Sequence, residues 1–152
     1  MKDKKTMEIP AIDYGTVIDH IPAEVTIQAM EILSEAFHNY TATFGTNFPS
    51  KRLGKKGFIK IEGTVLSQQE ANKIAIIAPK ATLNLIKDGK VIKKSTLELP
   101  ESITGILKCP NPECITNHEP ADTNFKVLNE EPLLIRCHYC ERALKRTDLM
   151  FR

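Results

Sequence analysis

The 152-residue chain has no tryptophan and only 6% aromatic residues, and its longest purely apolar run is five residues long, Ile74 to Ala78. Surfaces that stack sugars or nucleic-acid bases depend on aromatic rings, so their scarcity argues against both functions. A membrane-spanning helix needs about 20 apolar residues, and the charged N-terminal stretch lacks the apolar core of a signal peptide. The sequence therefore predicts a cytoplasmic protein without a membrane partner.

Cysteine is also missing from the first 108 residues, and all four cysteines lie between Cys109 and Cys140. The formal net charge of +2 is too balanced to indicate a nucleic-acid partner by itself. The stretch from Leu99 to Gly105 contains a proline and a glycine and shows no strong periodicity. We therefore predict two domains, residues 1–100 and 101–152.

The first domain is predicted to be ferredoxin-like. A β-branched strand from Thr16 to Ile21 ends at Pro22, and apolar residues then recur at helical spacing from Val25 to Phe37. Two strand candidates follow, then a second helix opened by the capping box of Ser67 and Glu70. A hairpin with an Asp88-Gly89 turn completes the order, strand-helix-strand-strand-helix-strand plus one strand. Both helices should lie on one face of an antiparallel sheet, which leaves the other face open.

The second domain carries two cysteine pairs, Cys109-x4-Cys114 and Cys137-x2-Cys140, separated by 22 residues. Two such turns can bring four thiolates into the tetrahedron that Zn²⁺ prefers, and four sulfurs leave no open position for a substrate. We therefore predict a small zinc-ribbon (rubredoxin-like) β domain with one structural zinc, the alternative being disulfides. His118 and His138 are spare ligand candidates or ordinary surface histidines.

Lys60 stands between Ile59 and Ile61 in a predicted strand. Strand alternation points both isoleucines toward the helices and Lys60 toward the open face, together with Phe58 and Glu62. The same alternation points Leu83 and Leu85 inward and Thr82, Asn84 and Ile86 outward. Lys60 can form a structural ion pair with Glu62 or anchor a phosphate group.

Asp19 and His20 place an acid beside an imidazole at the end of the first strand. Consecutive residues of a regular strand face opposite sides, so the two side chains can meet only if the strand ends there. No serine or cysteine in a recognisable catalytic motif accompanies them, and the sequence contains no phosphate-binding glycine loop. The adjacent Asp19 and His20 therefore favour a binding site for a polar ligand over an active site.

Four stretches together resemble the regulatory chain of aspartate carbamoyltransferase: GTVIDHIPA, NFPSKRLGKKGFIKIE, LS followed ten residues later by APKATLN, and the four-cysteine set. The resemblance covers nearly the whole chain, in order. It implies a non-catalytic regulatory subunit of pyrimidine biosynthesis, whose first domain binds the effectors CTP and ATP, with UTP and Mg²⁺ reinforcing CTP. It also implies a regulatory homodimer, and a zinc domain that docks on the catalytic chain.

The resemblance further implies a role for individual residues. Lys60 and Lys94 would neutralise the triphosphate, with His20 close to the phosphates, and Asp19 would contact the ribose and triphosphate region. Asn84 would approach the sugar and phosphates, and Lys56 would serve a second nucleotide or its metal ion. The pocket for the base and sugar would be lined by Ile9, Ala11, Ile12, Val17, Ile86 and Val91. The zinc ligands would be Cys109, Cys114, Cys137 and Cys140.

Two other classes of function remain open at this point. A stand-alone zinc-ribbon protein could bind nucleic acid, although the acidic turn at Glu130-Glu131 does not suit a phosphate backbone. An enzyme could use Asp19 and His20. The regulatory chain is the main hypothesis.

Overall fold

The structure is a computed structural model, and it describes residues 11 to 152. Backbone contacts divide the chain into two compact units, Met1–Leu97 and Glu98–Arg152. The division falls near the boundary expected at residue 100. None of the helices within residues 11–152 is long and apolar enough to cross a membrane.

The first unit contains a five-stranded antiparallel sheet with the order β2-β3-β1-β4-β5. Two helices connect the strands, α1 between β1 and β2 and α2 between β3 and β4, so the expected element order and the ferredoxin-like fold are confirmed. The elements are β1 Tyr14–Pro22, α1 Thr26–Ile32, β2 Ala42–Ser50, β3 Gly54–Glu62, α2 Gln68–Ile77, β4 Thr82–Lys87 and β5 Lys90–Thr96.

The sheet and helices bury one apolar layer. Fully buried isoleucines of β1 and β3, among them Ile18 and Ile59, lie opposite each other in the register. On the helices, Ala29 and Leu33 and the apolar face of α2, including Ile74, are buried with them. Because burial of apolar area is the main favourable term in folding, this layer fixes which face of the sheet the helices cover.

The second helix begins as predicted. The Ser67 hydroxyl accepts a hydrogen bond from the Glu70 amide, and the Glu70 carboxylate accepts one from the Ser67 amide. The first helix differs from the prediction, because it ends at Ile32 rather than continuing to Phe37. After Ile32 the chain forms hydrogen bonds that span three residues instead of four, such as Ala36 N–H to Leu33 O. This stretch contains serine, histidine and asparagine, which favour helices weakly.

Two further features of the sheet bear on the face opposite the helices. The turn between β2 and β3 is three residues long, residues 51–53, and β3 therefore begins at Gly54 and contains Lys55 and Lys56. Leu83 and Leu85 share the helix side with Ile18 and Thr16 but are only half-buried, whereas Thr82, Asn84 and Ile86 on the other side are buried. The face expected to be open is therefore partly covered along β4.

The second unit is a four-stranded antiparallel sheet in the order β6-β7-β8-β9, which confirms a small β domain. The strands are β6 Ser102–Thr104, β7 Asn124–Asn129, β8 Leu134–Cys137 and β9 Ala143–Lys145. Its core contains the fully buried Phe125, Leu107 and Ile135, with Ile103 and Leu144 close to fully buried. One cysteine pair lies between β6 and β7, and the other begins at the last residue of β8.

Candidate functional sites

The sheet face opposite the helices carries three lysines, Lys56, Lys60 and Lys94, and we call it the lysine face. One cross-strand row runs through four neighbouring strands, since Lys60 pairs with Val17, Val17 with Asn84, and Asn84 with Lys94. Directly paired residues point to the same side of a sheet. The predicted residues Val17, Lys60, Asn84 and Lys94 therefore share one row, with a cation at each end.

The width of this row suits an extended polyanion. Neighbouring strands are about 4.8 Å apart, so the three strand spacings between Lys60 and Lys94 separate their backbones by roughly 14 Å. Lysine carries its charge on a long, flexible stem, and both ammonium groups can swing toward a ligand between them. The Asn84 side-chain amide lies in the middle of the row and donates a long hydrogen bond, 3.4 Å, to the Val17 carbonyl oxygen.

A β-bulge interrupts β1 at Asp19 and His20. The register with β3 shifts between Ile18 and Ile21, and His20 has a left-handed backbone with φ of 60°. β1 continues through the bulge to Pro22, one residue beyond the expected strand end at Ile21. Because the bulge breaks strict alternation, Asp19 and His20 can both contact side chains on the lysine face.

Asp19 and His20 do not form a catalytic pair with each other. The Asp19 carboxylate accepts a hydrogen bond from the His20 backbone N–H at 2.7 Å, and Lys56 Nζ lies 3.0 Å from its other oxygen. The imidazole Nδ1 of His20 instead lies 3.0 Å from the Thr82 hydroxyl. The geometry thus contains an ion pair and a separate imidazole–hydroxyl bond, so the Asp19 carboxylate does not orient the His20 imidazole as the acid of a catalytic triad would.

The Asp19 carboxyl remains ionised in this setting. Burial raises its pKa, but the hydrogen bond and charge of Lys56 and the His20 N–H together outweigh burial, so the pKa lies below its ordinary value. An anionic Asp19 in turn holds the Lys56 ammonium beside the bulge. Lys56 is therefore tied to Asp19, which sequence reasoning did not predict.

Lys60 has an aromatic neighbour rather than an acidic one. Its ammonium lies 5.6 Å from the centre of the Phe58 ring, which in turn lies 5.4 Å from the Phe48 ring. Within residues 11–152, no ion pair joins Lys60 to Glu62. The ion-pair interpretation of Lys60 is therefore wrong, and its charge is available to an anion.

Of the apolar residues predicted to surround the base, Ile86 and Val91 lie at the β4–β5 hairpin, whereas Val17 lies within the row of Lys60 and Lys94. Ile86 pairs with Val91 across the β4–β5 hairpin, and the Gly89 amide of that hairpin donates a 3.0 Å hydrogen bond to Asp13 O. This bond ties the segment containing Ala11 and Ile12 to the hairpin. Ile12 and Ile86 are buried, whereas Ala11 and Val91 are exposed. The predicted residue Ile9 lies outside the described residues.

Gly15 allows β1 to pack closely against β3. A Cβ atom at this position would lie 2.1 Å from Ile61 O, and the glycine has φ of 152°. Gly15 is also the cross-strand neighbour of both Ile86 and Glu62. A side chain there would disturb the register on which the lysine row depends.

The four cysteines of the second unit form a compact cluster. All four Sγ atoms lie within 4.8 Å of one another, with 3.6 Å between those of Cys109 and Cys140 and 3.8 Å between those of Cys114 and Cys137. Disulfide sulfurs are about 2.05 Å apart, whereas a tetrahedral centre with Zn–S bonds of about 2.3 Å separates its sulfurs by about 3.8 Å. The sulfur cage therefore fits a tetrahedral metal ion and not a pair of disulfides.

The thiols of the cysteine cluster differ in pKa. Burial raises the pKa of the Cys109 thiol to about 12 and also raises that of Cys137. Burial acts in the same direction on Cys140, but the Asn111 side chain, the Arg142 backbone and the neighbouring thiols lower its pKa to about 7. Four closely spaced thiolates repel one another, so a central cation is what would allow all four to be ionised together.

Other residues around the cage were not identified as functional from the sequence. The Asn117 amide donates to Cys109 O and Asn111 O at 2.9 and 2.8 Å, which closes the wide first cysteine loop. His118 Nε2 lies 2.7 Å from Pro112 O. Within residues 11–152, the metal-ligand cluster contains only cysteines, so neither His118 nor His138 belongs to it.

Comparison with known proteins covers both units. Residues 7–98 match the model of the aspartate carbamoyltransferase regulatory chain, allosteric domain, and residues 101–150 match the metal binding domain of the same chain. The chain belongs to the family of aspartate carbamoyltransferase regulatory chains. Expectations of a regulatory, non-catalytic chain with a metal-binding domain are thereby confirmed, and the family favours this function over the nucleic-acid-binding and enzymatic alternatives.

Curated relatives carry the same name. The regulatory chain of Thermococcus kodakarensis is 49% identical over 146 residues, which cover 95% of this chain and 96% of that protein. The chain of Pyrococcus abyssi is 47% identical with the same coverage. The chain of Parabacteroides distasonis is 42% identical over 98% of this chain and 97% of its own length. The similarity therefore extends across both units.

Replacing Lys56 with glutamine is expected to raise the Asp19 pKa, because the positive charge that counteracts the effect of burial is removed. The ion pair stabilises the wild-type fold above the unfolded-state pKa, about 3.9, and this contribution is lost as pH falls through the lower folded-state value. In Lys56→Gln the loss begins at higher pH. Carbon-13 NMR titration of the Asp19 carboxyl measures the shift.

The matched control is Lys55→Gln. Lys55 is the exposed neighbour of Lys56 and points to the opposite side of β3. This variant should leave the Asp19 titration as in the wild type. An unchanged Asp19 pKa in Lys56→Gln would contradict the ion pair.

Proposed function

We propose that this chain is the allosteric regulatory subunit of aspartate carbamoyltransferase in pyrimidine biosynthesis, and that its lysine face binds the nucleotide effectors CTP and ATP. The observation that carries the proposal is the row of Lys60, Val17, Asn84 and Lys94, with a cation at each end and an amide between. A triphosphate needs cations that do not already neutralise an internal carboxylate. Lys60 meets this requirement by lying beside an aromatic ring.

The neighbouring rows supply the other parts of a nucleotide site. His20 and Thr82 place an imidazole and a hydroxyl beside the phosphate row, and Asp19 contributes an acceptor that suits ribose hydroxyls. The proposed apolar lining of the base and sugar consists of Ile12, Ile86 and Val91 near the hairpin and Val17 within the row, with Ala11 and Ile9 in the same lining. Backbone groups preceding β1, held at the hairpin by the bond from Gly89 to Asp13, read the edge of the base.

Lys56 has a distinct role in this proposal. Its ammonium is held by Asp19 at the edge of the lysine face, away from the row of Lys60 and Lys94. It is therefore placed to meet a second nucleotide, UTP, or the Mg²⁺-bound phosphates of that nucleotide. Binding there would compete with Asp19 for Lys56, which links the second nucleotide to the first.

Regulation requires that the effector binds two quaternary states of the enzyme with different affinity. A nucleotide that binds both states equally shifts nothing, however tightly it binds. Coupling energies of about 1–3 kcal/mol are typical, so a change in one lysine contact is enough to alter the response. The reaction itself takes place on the catalytic chain, with which this subunit associates as part of the proposed complex.

The second unit is proposed to hold one structural Zn²⁺ on Cys109, Cys114, Cys137 and Cys140 and to dock on the catalytic chain. When bound, the metal cross-links four thiolates and stabilises a unit that is too small to rely on its apolar core alone. A homodimer of regulatory chains completes the proposed assembly. The location of this assembly is proposed to be the cytoplasm.

CTP and ATP should each change the aspartate saturation curve of the enzyme reconstituted from this chain and the catalytic chain. Lys94→Gln should weaken the effector response, with an increase of about tenfold in the effector concentration at half-maximal effect, because a charged hydrogen bond to phosphate is worth about 1.5–3 kcal/mol. Lys93→Gln is the matched control, since Lys93 pairs with Leu85 and points to the other side of β5. No response of the wild-type enzyme to either nucleotide would overturn the allosteric proposal.

Removing zinc should abolish assembly. Treatment of the complex with a thiol-reactive mercurial and a chelator is expected to separate the regulatory and catalytic chains in size-exclusion chromatography, because the four-sulfur cage loses the ion that holds it together. Restoring Zn²⁺ after removal of the mercurial should restore co-elution. A metal-free regulatory chain that still co-elutes with the catalytic chain would contradict the proposed role of the zinc unit.

A further inference from the structure

Thr116 lies against one of the four cage sulfurs. Its hydroxyl oxygen is 3.1 Å from Cys114 Sγ, and both residues are nearly inaccessible, with 3% and 1% of their surface exposed. Thr116 belongs to a short 3₁₀ helix, Ile115–Asn117, that begins directly after Cys114. The hydroxyl is therefore held against the sulfur in a buried, water-poor environment.

The fixed position of Thr116 follows from the hydrogen bonds around it. The Cys114 amide donates to Asn111 O, and the Asn117 amide group beside Thr116 donates to Cys109 O. These bonds connect the short helix to both ends of the first cysteine loop. The backbone that carries Thr116 is therefore held beside Cys114 by the contacts that close the loop.

The chemistry of the bound state decides the direction of this hydrogen bond. A metal-bound cysteine sulfur has lost its proton, so the bond can then form only if the Thr116 hydroxyl donates to the sulfur. A donor to an anionic acceptor makes a stronger hydrogen bond than a neutral pair. The second cysteine loop has a counterpart, because the Arg142 backbone, two residues after Cys140, hydrogen-bonds to the Cys140 sulfur. Thr116 likewise stands two residues after Cys114, and with the metal bound it would donate from its side chain.

We propose that Thr116 is a positioning residue for the metal centre, whose hydroxyl orients the Cys114 thiolate and slows loss of the ion. The inference rests on the proposed zinc site and is independent of nucleotide binding. Partners that hydrogen-bond to metal ligands typically change metal affinity by about 10–100-fold. A buried threonine in this place therefore has a measurable role beyond packing.

The test uses the full-length chain loaded with zinc and measures the rate of zinc transfer to an excess of a colorimetric chelator. Thr116→Val keeps the shape but removes the hydroxyl, and it should release zinc about tenfold faster than the wild type. Thr116→Ser keeps the hydroxyl and should release zinc at close to the wild-type rate. In the cobalt-substituted chain, the sulfur-to-cobalt charge-transfer band should move to lower energy in Thr116→Val and not in Thr116→Ser.

Thr123→Val is the matched control. Thr123 is as buried as Thr116 and lies in the same unit, but its hydroxyl donates to the Leu107 carbonyl oxygen. Its loss should leave the charge-transfer band unmoved. Equal zinc release and equal cobalt spectra in Thr116→Val and wild type would overturn the inference.

Two other outcomes are also decisive. If Thr116→Val does not fold, Thr116→Ala and Thr116→Ser replace it, and equal zinc release by these two variants would overturn the role of the hydroxyl. A wild-type chain that retains no zinc would instead overturn the proposed metal site itself.

Discussion

The pairing of β1 with a strand on each side is the constraint on which the candidate effector site depends. β1 lies between β3 and β4, and its register with both places Val17 between Lys60 and Asn84. The register is held by buried isoleucines on the opposite side, since a slip of one residue would bring them to the lysine face. The same apolar layer that stabilises the fold therefore positions the cations.

The bulge at His20 lets two consecutive residues contact the same face of the sheet, which a regular strand does not allow. It gives Asp19 and His20 separate partners, Lys56 and Thr82, on the two strands that flank β1. The Asp-His step is thus part of a polar rim beside the lysine row and not a catalytic pair. In the second unit the four sulfurs have a comparable role, because a metal ion held by them would stabilise a unit that has only a small apolar core.

Much of this arrangement could be predicted from the sequence, for identifiable physical reasons. Strand alternation placed Lys60 away from the helices, the Ser67–Glu70 box began α2, and cysteine spacing indicated the sulfur cage. The bulge was not predicted, because Pro22 indicated that the strand ends beside His20, and a strand end interrupts alternation just as a bulge does. The Asp19–Lys56 pair depends on the bulge and was not predicted either. The early end of α1 and the role of Thr116 likewise depend on local hydrogen bonds that apolar periodicity does not encode.

An NMR titration of the isotope-labelled chain with CTP tests nucleotide binding by the lysine face most directly. Saturable shifts of amide signals are expected, concentrated in the central strands of the first unit, around Val17, Lys60, Asn84 and Lys94. Signals of β7 and β8 in the second unit should move little. Absence of shifts at millimolar CTP, or shifts confined to residues 98–152, would contradict nucleotide binding at the lysine face.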